Sequence, residues 1–371
     1  MLRKPSRSAT LIAVLAILII AQVACDGPGG GSRTVSETVS GDWIHVYFTS
    51  PRYPDDDAYH HDGLDEVLAT VIDQAESSVD VAAYDFDLER VADALIAAHN
   101  RGVRVRFVTE SDNADEDAVR DLERAGIPVI EDERDSGLMH DKFIVIDQVW
   151  LWTGSWNLTS NGTYRNNNNA VMIASPALAE NYTAEFEEMF AGEFGPTSSA
   201  DTPNPRVIIT AELEGADGQI QTKQIEVENY FAPEDSAAAQ IIAEIKNAQS
   251  RIRFMAFTFT SEEIADAMVE RAQAGVVVQG VIEDRNARGD YSQYDYLSEY
   301  IPDILPDGNP YIMHHKVIII DDETVILGSY NFTASAEDRN DENVLIIHDA
   351  EVAALFVQEF GRVYETARTA E

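Results

Sequence analysis

Two short segments of the chain carry the same polar residues at the same spacing. His140, Lys142 and Asp147 read His-x-Lys-x4-Asp, and His314, Lys316 and Asp321 repeat the pattern 174 residues later. At one fixed distance beyond each comes Gly-Ser-x-Asn: Gly154, Ser155 and Asn157, then Gly328, Ser329 and Asn331. An imidazole can attack phosphorus or move a proton, and ammonium, amide and hydroxyl groups can hold phosphate oxygens. Lysine is otherwise scarce, confined to Lys4, Lys142, Lys223, Lys246 and Lys316, so two of the five lie in these motifs. The residue types and their pairing point to chemistry on a phosphate ester.

Proteins cleave a phosphodiester either with metal-activated water or through a covalent intermediate on a side chain. No dense carboxylate or Cys/His set surrounds the motifs to favour a metal, and no cofactor is expected. Two imidazoles suit the covalent route: one attacks phosphorus while the other protonates the leaving alkoxide and then activates water. Lys142, Lys316, Asn157 and Asn331, with Ser155 and Ser329, would bind the phosphate oxygens. One copy supplies half of that set, so the two copies must face each other.

The elements that position them are themselves duplicated. Val79 to Tyr84 recurs as Ile252 to Phe257, Val91 to Leu95 as Ile264 to Met268, and Val103 to Glu110 as Val276 to Glu283. Gly102 and Gly275 stop the equivalent helices. Each half reads strand, helix, strand, helix, strand, turn, strand, helix, an α/β order. Phe143–Ile146 and Val317–Ile320 are continuously apolar, as strands buried on both faces are. Because residues i and i+2 share a strand face, His140 and Lys142 point together, as do His314 and Lys316, while His315 points away. Tyr84 and Phe257 end strands that border the site. The expected boundaries are 43–191 for the first half, 192–225 for a linker and 226–371 for the second half. The fold class is α/β: two similar α/β/α sandwich halves packed face to face with one active site at their interface.

The segments His140-Asp141-Lys142…Asp147…Gly154-Ser155-Trp156-Asn157 and His314-His315-Lys316…Asp321…Gly328-Ser329-Tyr330-Asn331 resemble those of the phospholipase D superfamily over roughly residues 44 to 366. The resemblance implies two halves meeting at one site, a phosphohistidine intermediate and no metal requirement. It also implies that Asp147 and Asp321 are structural, holding loops near the motif. Members of the superfamily often place an acidic residue after the second motif to orient an imidazole. Here Glu342 follows His314 by 28 residues, and Asn168 stands at the equivalent place after His140. Glu342 is expected to serve the opposite half's histidine, which makes His140 the nucleophile and His314 the general acid and base.

The N-terminus and the charge bear on the substrate. Arg3, Lys4 and Arg7 precede an apolar run of 13 residues, Ala9 to Ala21, and Cys25, the single cysteine, follows Ala24. Residues 1–25 read as a signal peptide with Cys25 as a lipidation site, a plain secretory signal and an uncleaved anchor being the alternatives. Residues 26–42, with the run Gly27 to Ser32, read as a flexible tether. The expected location is the bacterial cell envelope, lipid-anchored or secreted. A net charge of −40 repels polyanions, so nucleic acid is a disfavoured partner. Phospholipid head groups are the favoured substrate and a monomer the expected state. A metal-independent exported nuclease and a non-catalytic lipid-anchored binding protein are the alternatives.

Overall fold

A computed structural model describes residues 20–22, 34–197, 202–214 and 218–370. Cys25 and the Gly27–Ser32 run lie outside the described residues, as does most of the expected signal. Strand β1 (Ile20–Gln22) pairs antiparallel with β2 (Thr34–Ser40). The first half follows as β3 (Ile44–Phe48), α1 (Leu64–Ile72), β4 (Ser78–Ala83), α2 (Glu89–Asn100), β5 (Arg104–Glu110) and α3 (Asp117–Arg124). It continues with β6 (Val129–Asp132), β7 (Lys142–Ile146), β8 (Trp150–Gly154), α4 (Ser160–Tyr164), β9 (Asn166–Asn167), β10 (Asn169–Ala174) and α5 (Pro176–Phe190). A hairpin, β11 (Arg206–Glu214) and β12 (Ile220–Ala232), leads to α6 (Ala237–Asn247), β13 (Arg251–Ala256), α7 (Glu262–Gln273) and β14 (Val277–Ile282). Then come α8 (Asp284–Ala287), α9 (Tyr294–Tyr300), β15 (Ile304–Pro306), β16 (Ile312–Met313), β17 (Lys316–Ile320), β18 (Thr324–Gly328), α10 (Ala334–Asp338), β19 (Glu342–His348) and α11 (Ala350–Ala370).

The first sheet has the order β3-β10-β8-β7-β4-β5-β6, and the larger one ends in the matching series β12-β19-β18-β17-β13-β14-β15. The motif strands β7 and β17 sit inside their sheets and are buried at every residue, which accounts for their unbroken apolar sequence. Outer helices cover one face of each sheet: α1, α2 and α3 in the first half, α6, α7 and α9 in the second. The long helices α5 and α11 lie between the halves. There Phe143, Tyr182 and Phe186 join Val317, Leu345 and Phe356 in one apolar cluster. Emptying its centre, as Phe356→Ala would, is expected to cost about 3–5 kcal/mol.

The ends of the expected boundaries are corrected. Thr34–Ser40, placed in the tether, is a strand paired in parallel with β11. Its Val35, Val39 and neighbouring Trp43 pack on the central cluster, an apolar pattern that a tether would leave in water. The linker is likewise ordered for much of its length: β11 and β12 form a long antiparallel hairpin that extends the second sheet.

Candidate active site

Each His-x-Lys lies at the N-terminal edge of its motif strand, and the return strand brings Gly-Ser-x-Asn back to the same edge. The hairpin turns are Asp147-Gln148 and Asp321-Asp322, with φ of 54° and 58° in each copy and i to i+3 hydrogen bonds closing them. Both central residues lie in the left-handed region, the backbone of a type I′ turn, whose twist matches the strands. Asp147 accepts from the backbone N–H groups of Glu76, Ser77 and Ser78 and from the Ser77 hydroxyl. Asp321 repeats this with Gln249, Ser250 and Arg251. Burial disfavours both charges, but these donors outweigh it and hold both carboxyls below their usual range. The two aspartates therefore sit at the far end of the strand from the histidines and pin the hairpin to the preceding loop.

At the near end the halves interlock. His140 N–H donates to the Asp341 carbonyl, and His314 N–H donates to the Asn167 carbonyl, so each motif extends the other half's segment. His140 Nδ1 lies 2.8 Å from Glu342 Oε2. Glu342 also accepts from Ser329 Oγ at 2.6 Å and Asn340 Nδ2 at 3.0 Å. Three converging donors make it the acceptor, so the shared hydrogen sits on His140 Nδ1 and leaves Nε2 with its lone pair. His314 Nδ1 lies 2.9 Å from Asn168 Oδ1 and 3.0 Å from the Ser155 carbonyl, both acceptors. Its Nε2 lies 3.2 Å from Lys316 Nζ. Both imidazoles are thus held by the opposite half through Nδ1, one by a carboxylate and one by an amide.

The site is electrostatically tight. Burial, then Lys142 and Lys316, push His140 well below its ordinary pKa; burial, then Lys316 and Lys142, do the same to His314. Each ring therefore feels both ammonium groups. Burial lowers Lys142 to about 8 and pushes Lys316 well below its ordinary value, while Glu342 is pushed up to about 7 by burial against the pull of Lys142. Two rings complete the walls: Tyr84 lies 4.9 Å from His140 and Phe257 4.6 Å from His314, each also under a lysine ammonium. Two buried ammonium groups beside two buried imidazoles suit the site to a phosphate anion.

Asn157 and Asn331 are half-buried, and the Oδ1 of each has no partner, which leaves both amides uncommitted. Ser155 and Ser329 depart from expectation. Ser155 Oγ donates to Asn168 Oδ1 at 3.0 Å and accepts from Asn169 N at 3.1 Å; Ser329 Oγ donates to Glu342 and accepts from Asn343 N at 3.0 Å. Both are fully buried and committed to holding the residues that orient the imidazoles, so they are not free to bind phosphate. The preceding glycines permit this packing. A side chain at Gly154 or Gly328 would collide with the Asn169 or Asn343 carbonyl, and each has a positive φ, 152° and 146°. Asn169 and Asn343 themselves gave no sequence signal beyond a polar run. Among the described residues, two groups of His, Asp and Glu lie close enough to hold a cation: Asp55, Asp57 and His60, and Glu226, Glu228 and His348. Neither includes a motif residue, and Arg165 and Arg206 already pair with them.

Comparison with known proteins agrees with this geometry. The family model described as "Cardiolipin synthase, PLD-like domain" matches residues 68–190 and 241–364, one copy per half. A phospholipase D of Rickettsia bellii (strain RML369-C) is 34% identical over 138 residues, 37% of this chain and 69% of that protein. A phospholipase D of Rickettsia prowazekii (strain Madrid E) is also 34% identical, over 36% of this chain and 64% of that protein. A mitochondrial cardiolipin hydrolase of Xenopus tropicalis is 33% identical over 38% of this chain and 66% of that protein. The crystal structure of phosphatidylserine synthase from Haemophilus influenzae Rd KW20 superposes with a TM-score of 0.61. It covers 87% of this chain and 86% of that one at 12% identity, a likeness of fold.

Proposed function

The chain belongs to the phospholipase D-like family and is a hydrolase of its phosphodiesterase kind; from that premise we propose that it cleaves phospholipid head groups through a phosphohistidine. His140 Nε2 attacks phosphorus, forming a P–N bond as the P–O bond to the head-group alcohol breaks. His314 gives its Nε2 proton to the departing oxygen. In the second step His314 takes a proton from water, the water oxygen attacks phosphorus, and the P–N bond breaks. Lys142, Lys316, Asn157 and Asn331 hold the non-bridging oxygens as charge shifts onto them. Burial and the two ammonium groups disfavour the cationic form of His314; a bound diester anion offsets that field and lets the ring carry its acid proton.

The observation that carries this reading is the reciprocal support of the imidazoles. Glu342 stabilises the cationic ring that a phosphohistidine requires, whereas neutral Asn168 leaves His314 free to exchange a proton. The net charge of −40 favours a lipid over a polyanionic substrate. The relatives bearing lipid hydrolase names support the same choice. Attachment to an envelope membrane through Cys25 would place the enzyme at its substrate. No helix among the described residues is long and apolar enough to cross a membrane.

The test is to incubate the protein with phosphatidylcholine vesicles and, separately, with plasmid DNA, both in excess chelator. Head-group release without nicking is expected. Nicking without release would transfer the same chemistry to a nuclease, and an unreactive protein would leave a binding scaffold.

A further inference from the structure

We propose that His315, the middle residue of the second motif, is a positioning residue for the acid–base step of the proposed reaction, acting through the first half. This rests on the assignment of His314 as general acid. His315 is fully buried and faces away from the phosphate site, so its own ring does no chemistry there. Its Nε2 lies 3.0 Å from Glu359 Oε1 on α11. Arg362 donates to both oxygens of that carboxylate and to the Thr49 carbonyl. Arg362 and His315 hold Glu359 ionised, at about 2, against the cost of burial. The carboxylate therefore accepts, His315 donates through Nε2–H, and His315 Nδ1 is left as an acceptor.

That acceptor takes a hydrogen from Asn169 Nδ2 at 3.0 Å, across the seam between the halves. The same Asn169 amide reaches Ser155 Oγ at 3.2 Å, and Ser155 Oγ donates to Asn168 Oδ1. Asn168 is fixed from its other end by Nδ2 donating to the Gly162 carbonyl at 2.9 Å, and its Oδ1 receives His314 Nδ1–H. Every link from Glu359 to His314 pairs a donor with an acceptor: Asn169 Nδ2 donates to both His315 and Ser155, and Asn168 Oδ1 accepts from both Ser155 and His314. Two consecutive residues, His314 and His315, thus grip two consecutive residues of the other half, Asn168 and Asn169.

The first motif makes the matching grip with different chemistry. His140 holds Glu342, while Asp141 accepts from Asn343 Nδ2, and Ser329 bonds to both Glu342 and Asn343. The middle residue of each motif therefore sits at the same structural place, clamping the strand that orients its own neighbour. A residue that only filled the core would need neither the paired carboxylate nor the register across the seam. The grip matters because misplacing a proton donor by about 1 Å can cost roughly 100-fold in rate.

The experiment compares His315→Leu and His315→Gln with the unaltered protein on two diesters. One has a poor alkoxide leaving group, and the other a p-nitrophenolate that departs without an acid. Gln can still donate to Glu359 and accept from Asn169; Leu can do neither. His315→Leu should lower the single-turnover rate of leaving-group release from the alkyl diester by roughly 10- to 100-fold with KM little changed, and that from the p-nitrophenyl diester far less; the first step is read because His314 serves the second step for both. His315→Gln should recover most of the loss. The Nδ1–H proton of His314, followed by NMR, should exchange with water faster in the Leu variant. Equal losses on both diesters, an unchanged release rate in a folded Leu variant, or a Gln variant as impaired as Leu would each overturn the proposal. An unaltered protein inactive on both diesters would sink the functional reading instead, and the His314 exchange rate alone would then decide the positioning claim. Should Leu prevent folding, Glu359→Gln, which removes the charge at the start of the chain, is expected to show the same dependence on the leaving group.

Discussion

Replacing Glu342 with Gln should separate the charge of this carboxylate from its hydrogen bonds. The side chain is fully buried, and its Oε2 lies 2.8 Å from His140 Nδ1. An amide oxygen in that place can still accept from His140 and Ser329, so ring orientation should survive, while the amide nitrogen faces Asn340, whose own amide must turn to accept from it. What disappears is a negative charge beside a ring that becomes cationic when it bonds to phosphorus. Two unit charges about 4 Å apart at an effective dielectric constant near 20 interact by about 4 kcal/mol, which sets an upper bound near 10³-fold in rate. We therefore expect kcat to fall by roughly 10² to 10³, with KM nearly constant because the ring orientation is kept. Rapid-quench kinetics on a short-chain phosphatidylcholine would place the loss in the first chemical step. A folded Glu342→Gln protein within about threefold of the original would refute the reasoning, since the lost charge would then have been worth less than 1 kcal/mol.

Three other outcomes follow from the same structure. Asp147→Ala strips the acceptor from three backbone N–H groups and should cost about 2–3 kcal/mol in denaturant unfolding, with activity per folded molecule retained; a loss of activity at unchanged stability would contradict its structural role. Lys142, lowered to about 8, should give kcat/KM an alkaline limb near that pH, and a profile flat well beyond it would show that its charge is not needed. Glu228 and Glu359 fall from 4.5 to about 2 on folding, and Asp147 and Asp321 also fall. The unfolded chain then binds more protons in that window. Stability from these groups should be complete above about pH 4.5 and drain away as pH drops towards 2; unfolding energies that rise between about pH 3 and pH 2, where carboxyls with raised pKa such as Glu342 are protonated in both states, would contradict it.

The sequence carried the paired motifs, the duplication and the buried motif strands because each leaves a local trace: a spacing, a repeat or an unbroken apolar run. Glu342 is legible too, since its asymmetry with Asn168 sits at one offset in both copies. The roles of Ser155 and Ser329 are not legible because a hydroxyl near a phosphate-binding motif reads the same whether it faces substrate or a neighbouring strand. Asn169, Asn343 and His315 could not be assigned because their partners stand across the seam. His315 and Asn169 are 146 residues apart, and no periodicity records such a contact. Thr34–Ser40 reads as tether because the glycine run before it dominates the composition, whereas its alternating burial appears only once β11 is beside it.

The central claim is tested most directly by acid-free quenching of the enzyme during turnover of a radiolabelled diester, followed by peptide mapping under conditions that preserve phosphoramidates. Label recovered on the peptide containing His140, and absent from a His140→Ala protein, is the predicted result. Label on His314, or turnover with no labelled histidine at all, would contradict the account.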